Sequence, residues 1–278
     1  MAPKTWELFT KEREVVGTAI WIRFYPIVIK EGRGVKVIDV DGKEYLDFNA
    51  GWAVMNTGYN HPNIVKAIKE QVDKLVFSSF TTFPSEPVIK LAEQLAKITP
   101  GAFKKKVWFG LSGSDANECV YKIIPLYKNR PRFISFVGSY HGQNMGGLTL
   151  SGHKALSKLI GFGNVVKVPY PYCYRCPFKQ EYPDCGLYCI DFIENYVFKN
   201  IVFPEDVAGC IVEPVQSDGG DIIPPDGFLE RLQKLCKDNG IVFITDEVKV
   251  GMGRTGKMFA SEHWNLEPDV IVLGKPLA

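Results

Sequence analysis

A series of short runs rich in Val, Ile and Phe constrains this chain more than any other feature. They are KVWFGL (106–111), RFISFV (132–137), NVVKVPY (164–170), VAGCIVEP (207–214), IVFITDEV (241–248) and DVIVLG (269–274). Their apolar character is too continuous for strands with one wet face, so each reads as a strand buried on both faces. Other stretches carry apolar residues at three- and four-residue spacing: NIVKAIKEQVDKL (63–75), SEPVIKLAEQLAKI (85–98) and DGFLERLQKLCKDNG (226–240). These read as helices, the last stopped by Asn239-Gly240. Strands alternating with helices predict an α/β fold built on a mostly parallel sheet. In such sheets ligands bind beyond the carboxyl ends of the strands, and that rule selects the residues that matter.

The first 60 residues differ. PIVIKEGRGVKVIDVDGKEYLDFNAG (26–51) reads as short antiparallel strands with Asp41-Gly42 at a hairpin turn. The whole chain has 278 residues, 46% hydrophobic and 23% charged, which suits a globular protein with a sizeable core. A formal net charge of +2 gives no reason to expect a nucleic-acid or membrane partner. The N-terminus lacks the apolar stretch of a signal peptide, and no apolar run is long enough to span a bilayer, so the expected location is the cytoplasm.

Distinctive chemistry stands at the strand ends. After KVWFGL, Ser112, Gly113 and Ser114 form a small-residue turn and Asp115 can open a helix, whose free N–H groups suit a phosphate or serve only as a capped helix start. After RFISFV come Tyr140 and His141 between glycines; an aromatic there can lie against a planar ligand or pack on its own loop. VAGCIV is followed by Glu213 and Gln216. Asp246 closes an apolar strand and should need a partner for its charge. Lys275 follows the last strand, either as a surface amine or as a desolvated one suited to a Schiff base. The glycines of GMGRTG (Gly251, Gly253, Gly256) match a dinucleotide fingerprint, with Glu267 and Asp269 near the spacing of a ribose acid. Taken together, a phosphate cradle, a stacking aromatic, an acid for a ring nitrogen and a lysine for an aldehyde describe a pyridoxal phosphate site.

At these residues the chain resembles the class III pyridoxal-phosphate aminotransferases, the family of the 4-aminobutyrate, ornithine and acetylornithine aminotransferases and of some amino-acid racemases. VIDVDGKEYLDFNAGWAVMNTGYNHP, LSGSDANE, SYHGQNMGGLTLSG, EPVQSDGG, ITDEV with GMGRTG, and EPDVIVLGKPL occur in the family's order. The resemblance implies a fold-type I transferase, with residues 1–60 in a small domain and 61–278 forming an incomplete cofactor-binding large domain. It implies a homodimer or higher homo-oligomer that moves an amino group from an amino acid or ω-amine to a 2-oxo acid. A racemase, or a remnant without activity, is the alternative. Lys275 would carry the cofactor as a Schiff base and shuttle the proton, and Asp246 would pair with the pyridine nitrogen. Ser112, Gly113 and Ser114 would hold the phosphate. Tyr140 would stack on one ring face and Val248 would pack on the other, His141 and Lys249 would be among the cofactor-binding residues, and Glu213 would help shape the substrate pocket. GMGRTG becomes a structural loop.

Two departures stand out. Relatives commonly carry Gln after DEV, where its amide reaches the cofactor's phenolic oxygen; here the residue is Lys249. Relatives also continue well past the cofactor lysine, so the sequence is expected to lack a C-terminal part, including a strand lying between KVWFGL and DVIVLG. Cys173, Cys176, Cys185 and Cys189, spaced C-x2-C-x8-C-x3-C, admit zinc, two local disulfides or free thiols. Cys119, Cys210 and Cys236 lie in apolar context and read as core residues.

Overall fold

The computed structural model describes residues 3–17, 23–159, 161 and 163–277. Contacts divide the chain into two compact units, Met1–Ser85 and Glu86–Ala278. In the first, helix α1 (Pro3–Val15) precedes an antiparallel sheet of β1 (Ile29–Arg33), β2 (Lys36–Asp39) and β3 (Glu44–Leu46), then a single turn α2 (Ala50–Ala53) and helix α3 (Pro62–Val72). The expected Asp41-Gly42 hairpin is present. The Asp39 carboxylate accepts the amides of Asp41 at 3.0 Å and Lys43 at 2.8 Å, and Gly42 takes the left-handed φ of +85° that the turn requires.

The second unit opens with α4 (Glu86–Ile98) and α5 (Gly113–Lys128). Then come β4 (Arg132–Phe136), α6 (Met145–Leu150), β5 (Val165–Val168), α7 (Tyr188–Phe192) and α8 (Phe198–Asn200), followed by β6 (Val207–Val212), α9 (Phe228–Asp238), β7 (Val242–Asp246) and β8 (Val270–Val272). The strands form one wholly parallel sheet in the order β5-β4-β6-β7-β8. From β4 the chain steps outward to β5; from β6 it steps the other way through β7 to β8. The reversal lies between β4 and β6, and it is there that such sheets open a crevice.

Side-chain alternation along the strands sorts the core into two layers. Ile134, Phe136, Cys210 and Phe243 pack against Ile190, Val197, Phe228 and Leu232 of the α7 and α9 side. Phe133, Ile211 and Ile244 pack against Val120 and Ile124 of α5. Burial on both faces explains the apolar runs of β4, β6 and β7, whereas the edge strands β5 and β8 are only partly buried and Lys167 of β5 is exposed. Helix α9 buries Phe228, Leu229, Leu232, Leu235 and Cys236 and ends at Asn239, with Gly240 left-handed at φ +62°. Phe228 is fully buried, so Phe228→Ala should cost about 3–5 kcal/mol.

One expected strand is absent. KVWFGL forms no ladder, and Trp108 and Leu111 are exposed. A strand needs a neighbour for its N–H and C=O groups, and none of the five strands lies beside these residues in the sheet.

Candidate active site

Four strand ends and one helix start contribute residues in the second unit. Asp246 ends β7 and is 3% exposed. Its Oδ2 accepts a hydrogen bond from Asn117 Nδ2 at 2.8 Å and pairs with His141 Nδ1 at 2.8 Å, while its Oδ1 accepts the Val248 amide at 3.0 Å. Burial of a carboxylate demands such partners. Asn117 comes from the buried face of α5 and also donates to the His141 carbonyl at 2.9 Å. The His141 amide donates to Ser151 Oγ at 2.8 Å. His141 Nε2 and Asn117 Oδ1 are buried and meet no partner among the described residues.

The turn before α5 packs against Val248, whose amide donates to this carboxylate. Ser112 caps the helix, its Oγ accepting the Asp115 amide at 3.2 Å. The first-turn amides of Gly113 and Ser114 have no intrahelical carbonyl to meet. A Cβ on Gly113 would lie 2.7 Å from Val248 Cγ1, and one on Gly274 would lie 3.1 Å from the same atom and 3.4 Å from the Gly113 backbone. A Cβ on Gly142 would lie 2.6 Å from Ser114 Oγ. Gly142 has no room for a Cβ against the Ser114 backbone and takes a φ of +115°, Gly113 is pressed against the Val248 side chain, and Gly274 is tight against the same side chain. Lys275 follows Gly274, half-buried, with a left-handed φ of +31° that side chains rarely adopt. Its strand is in register with β7, Val272 opposite Asp246.

At the end of β6, Glu213 is buried. Its Oε2 accepts the Tyr140 amide at 3.2 Å, and its Oε1 accepts Ser217 Oγ at 2.5 Å and the Ser217 amide at 3.3 Å. Burial pushes its carboxyl up to about 7. Tyr140 itself is half-buried, and burial raises its phenol. Tyr170 supports this strand end from behind, its hydroxyl donating to the carbonyls of Glu213 at 3.1 Å and Pro214 at 3.3 Å. Gln216 is buried and donates to the Val137 carbonyl at 3.0 Å, joining the loops after β6 and β4.

The two adjacent acids divide their tasks. Glu247 is fully buried and turns away from Asp246's partners, accepting the amides of Ala260 at 2.6 Å and Ser261 at 2.9 Å and the Ser261 hydroxyl at 2.5 Å. It closes the GMGRTG loop onto the end of β7. That loop runs into a short 3-10 helix, Ala260–Trp264, and so lacks the α-helix start on which a dinucleotide pyrophosphate rests. Asp269 is used in the backbone, accepting the Phe243 amide at 2.8 Å. Lys249 extends to Asp221, Nζ to Oδ1 2.6 Å, at the surface.

Sequence reasoning overlooked Asn117, Ser151 and Ser217. Asn117 carried a signal: it shares the buried face of α5 with Val120 and Ile124, and a polar residue on such a face needs a partner. The zinc reading of Cys173, Cys176, Cys185 and Cys189 is not supported. Among the described residues no group of three or more His, Cys, Asp or Glu side chains is placed to hold a metal ion. Burial also pushes the Cys189 thiol up to about 12, away from the thiolate that zinc requires. Among the same residues no helix is long and apolar enough to cross a membrane.

The family model for class III aminotransferases matches residues 19–278. The chain belongs to the class III aminotransferase family. Among class III relatives, it is 40% identical to the alanine/serine racemase of Pyrococcus horikoshii, aligning over 99% of itself and 60% of that protein. It is 38% identical to the 5-aminovalerate aminotransferase DavT of Pseudomonas aeruginosa, over 98% of itself and 63% of the relative. It superimposes on the ω-transaminase of Pseudomonas jessenii in complex with PMP with a TM-score of 0.88 and 30% identity, covering 96% of this chain and 62% of that one. The chain thus spans about 60% of the length of the class III proteins it matches. The family's fold class, α/β with a parallel sheet, is the one observed.

Proposed function

We propose that this chain carries the cofactor-binding part of a pyridoxal-phosphate-dependent aminotransferase that moves an amino group from an amino acid or ω-amine to a 2-oxo acid. The reading rests above all on the buried Asp246 carboxylate. It stands at the edge of the sheet crevice, held by His141 and Asn117, with the Gly113 turn and the Lys275 strand beside it. The residues fit the cofactor. Oδ1 of Asp246 accepts one backbone amide and keeps a lone pair for a ring N–H. The glycine-lined helix start suits a phosphate. The structure of the Pseudomonas jessenii relative holds PMP, which supports the same reading.

When bound, pyridoxal phosphate supplies an aldehyde that captures amines and a ring that withdraws electrons. Asp246 would keep a proton on the ring nitrogen. His141 and Asn117 orient that carboxylate and hold its charge. Gly113 and Ser114 would donate backbone N–H groups to the phosphate, with Ser112 at the rim. Tyr140 would cover one ring face and Val248 the other. The Lys275 amine would take a proton from the amine-bearing carbon and return it one position away. Glu213 holds the Tyr140 loop and shapes the substrate side. Residues 1–60 are assigned to a small domain and 61–278 to the large one. Self-association is proposed, supported by the exposure of Leu111, Leu126 and Tyr127.

Borohydride reduction of the cofactor-loaded protein followed by peptide mapping should label Lys275. Labelling of Lys249 alone would reverse the assignment, and binding of a nicotinamide dinucleotide in place of pyridoxal phosphate would overturn it. A racemase is the second reading, favoured by the names of relatives at 38–40% identity: the alanine/serine racemase, a leucine/methionine racemase of Thermococcus litoralis and an isoleucine 2-epimerase of Lentilactobacillus buchneri. Loss of optical rotation with no requirement for a 2-oxo acid selects it.

A further inference from the structure

The connection from β5 to α7 serves none of the roles above, yet it gathers four cysteines. Cys173, Cys176, Cys185 and Cys189 all line one small cavity of about 20 Å³, walled by Tyr170, Phe178 and Tyr188. The backbone brings them together from both ends of the connection. Cys173 opens a single 3-10 turn that Cys176 terminates, and side chains three apart overlie one another in that helix. The Cys185 amide donates to the Glu181 carbonyl at 2.8 Å, and the Cys185 carbonyl accepts the Tyr188 amide at 3.1 Å. These bonds fix Cys185 just ahead of α7, which contains Cys189. Cys173 is the exposed member; the other three are half-buried free thiols. Of the cysteine neighbours, Cys185 is the one whose charge bears most on both Cys173 and Cys189.

We propose that this cluster is a thiol–disulfide site, in which Cys173 exchanges with a small-molecule disulfide and Cys185 resolves the product into a Cys173–Cys185 bridge. The Cys173 thiolate attacks one sulfur of the small disulfide, the S–S bond breaks, and one small thiolate leaves. The Cys185 thiolate then attacks the Cys173 sulfur and expels nothing but the second small thiolate. Two protein thiols lose two protons and two electrons; the small disulfide is reduced to two thiols. Exposure gives Cys173 the first step, and the cavity encloses its partner. Partial desolvation at the cavity mouth, with the charges of Cys185 and Cys176 next to it, raises the otherwise exposed Cys173 thiol, and burial pushes Cys189 up to about 12. A cluster that disfavours thiolate supplies poor leaving groups, so the bridge resists reduction once made. It also closes the loop ahead of which Tyr170 reaches the Glu213 and Pro214 carbonyls, stiffening the rear of the β6 strand end.

The test equilibrates the reduced 278-residue chain with glutathione disulfide, alkylates the remaining thiols and maps the peptides. A peptide pair joined through Cys173 and Cys185 is expected, with the chain about 2 Da lighter per bridge for the two hydrogens removed. Cys185→Ser should leave glutathione trapped on Cys173, while Cys189→Ser should retain the bridge and guards against a folding defect in the first variant. Alkylation of all four cysteines overturns the proposal. So do bridges confined to Cys173–Cys176 or Cys185–Cys189, and so does zinc at one ion per chain in the purified protein.

Discussion

The ends of β6 and β7 are neighbours in the sheet, and each carries one buried carboxylate: Glu213 on the first and Asp246 on the second. Their surroundings differ in kind. Asp246 faces an imidazole and a carboxamide, both brought from other elements and both aimed at one oxygen. Glu213 faces a serine hydroxyl four residues along and two backbone amides, and burial pushes its carboxyl up to about 7. The same functional group is thus held as a charge partner for something else at one position and as a loop clamp at the other. The difference is made by the side chains delivered to each end, since the strands themselves are alike in burial and hydrogen bonding.

The largest expected effect is that of Asp246→Asn. The amide cannot hold the ring nitrogen protonated, and turnover should fall at least about a thousandfold, roughly 4 kcal/mol, with cofactor still bound by absorbance. Near-normal turnover would erase the distinction between the two acids. His141→Ala removes the imidazole that pairs with Asp246 Oδ2 and should cost about a hundredfold in rate, roughly 2.7 kcal/mol. It should also shift the pH titration of the bound cofactor's spectrum, a change that a purely structural residue would not produce. Asn117→Ala strips a hydrogen bond from a buried carboxylate and should lower stability by about 1–3 kcal/mol in urea unfolding.

Glu213→Gln sharpens the contrast through pH. The folded carboxyl titrates at about 7 against an ordinary value of 4.5. Between those values the folded chain keeps a proton that the unfolded chain has lost. The contribution of Glu213 to stability therefore falls as pH rises through that window and is fully unfavourable above it. Thermal unfolding of the variant should lack this decline, so the gap between variant and parent should widen in the variant's favour from pH 4.5 to 7. A constant gap would mean that the Glu213 carboxyl titrates alike in the folded and unfolded chains. The smallest effect belongs to Lys249→Gln. The pair with Asp221 is exposed at one end, 73% for Asp221, so stability should change by less than about 1 kcal/mol, with any consequence confined to the cofactor's absorbance.

Much of this was legible in the sequence, for a definable reason. Strands buried on both faces must be apolar throughout, and β4, β6 and β7 declare themselves so; β5 and β8, at the sheet's two edges, are only partly buried, and Lys167 of β5 is exposed. Asp246 was legible because an acid closing such a run has few other uses. KVWFGL was misleading because composition reports burial and not pairing; a ladder needs a neighbour that no local pattern encodes. Glu247 was silent for another reason. Its partners, Ala260 and Ser261, offer backbone amides, which have no signature in composition. Ser151 and Ser217 were hidden likewise, since a serine that accepts or donates one buried bond looks like any loop serine.

The division of labour between Asp246 and Glu247 has a consequence for how this segment can be altered. Because one residue's step separates the set that meets His141 from the set that meets Ala260, an insertion or deletion of a single codon between Val242 and Asp246 would carry one carboxylate into the other's place, push the second out of register and abolish both arrangements at once. The loop that follows is exposed at Gly253 and Arg254, and its bonds are local, from the Gly253 amide to the Met258 carbonyl at 3.1 Å and from the Arg254 amide to the Gly251 carbonyl at 3.3 Å. A change of length should therefore be costliest in the segment that ends at Asp246 and Glu247.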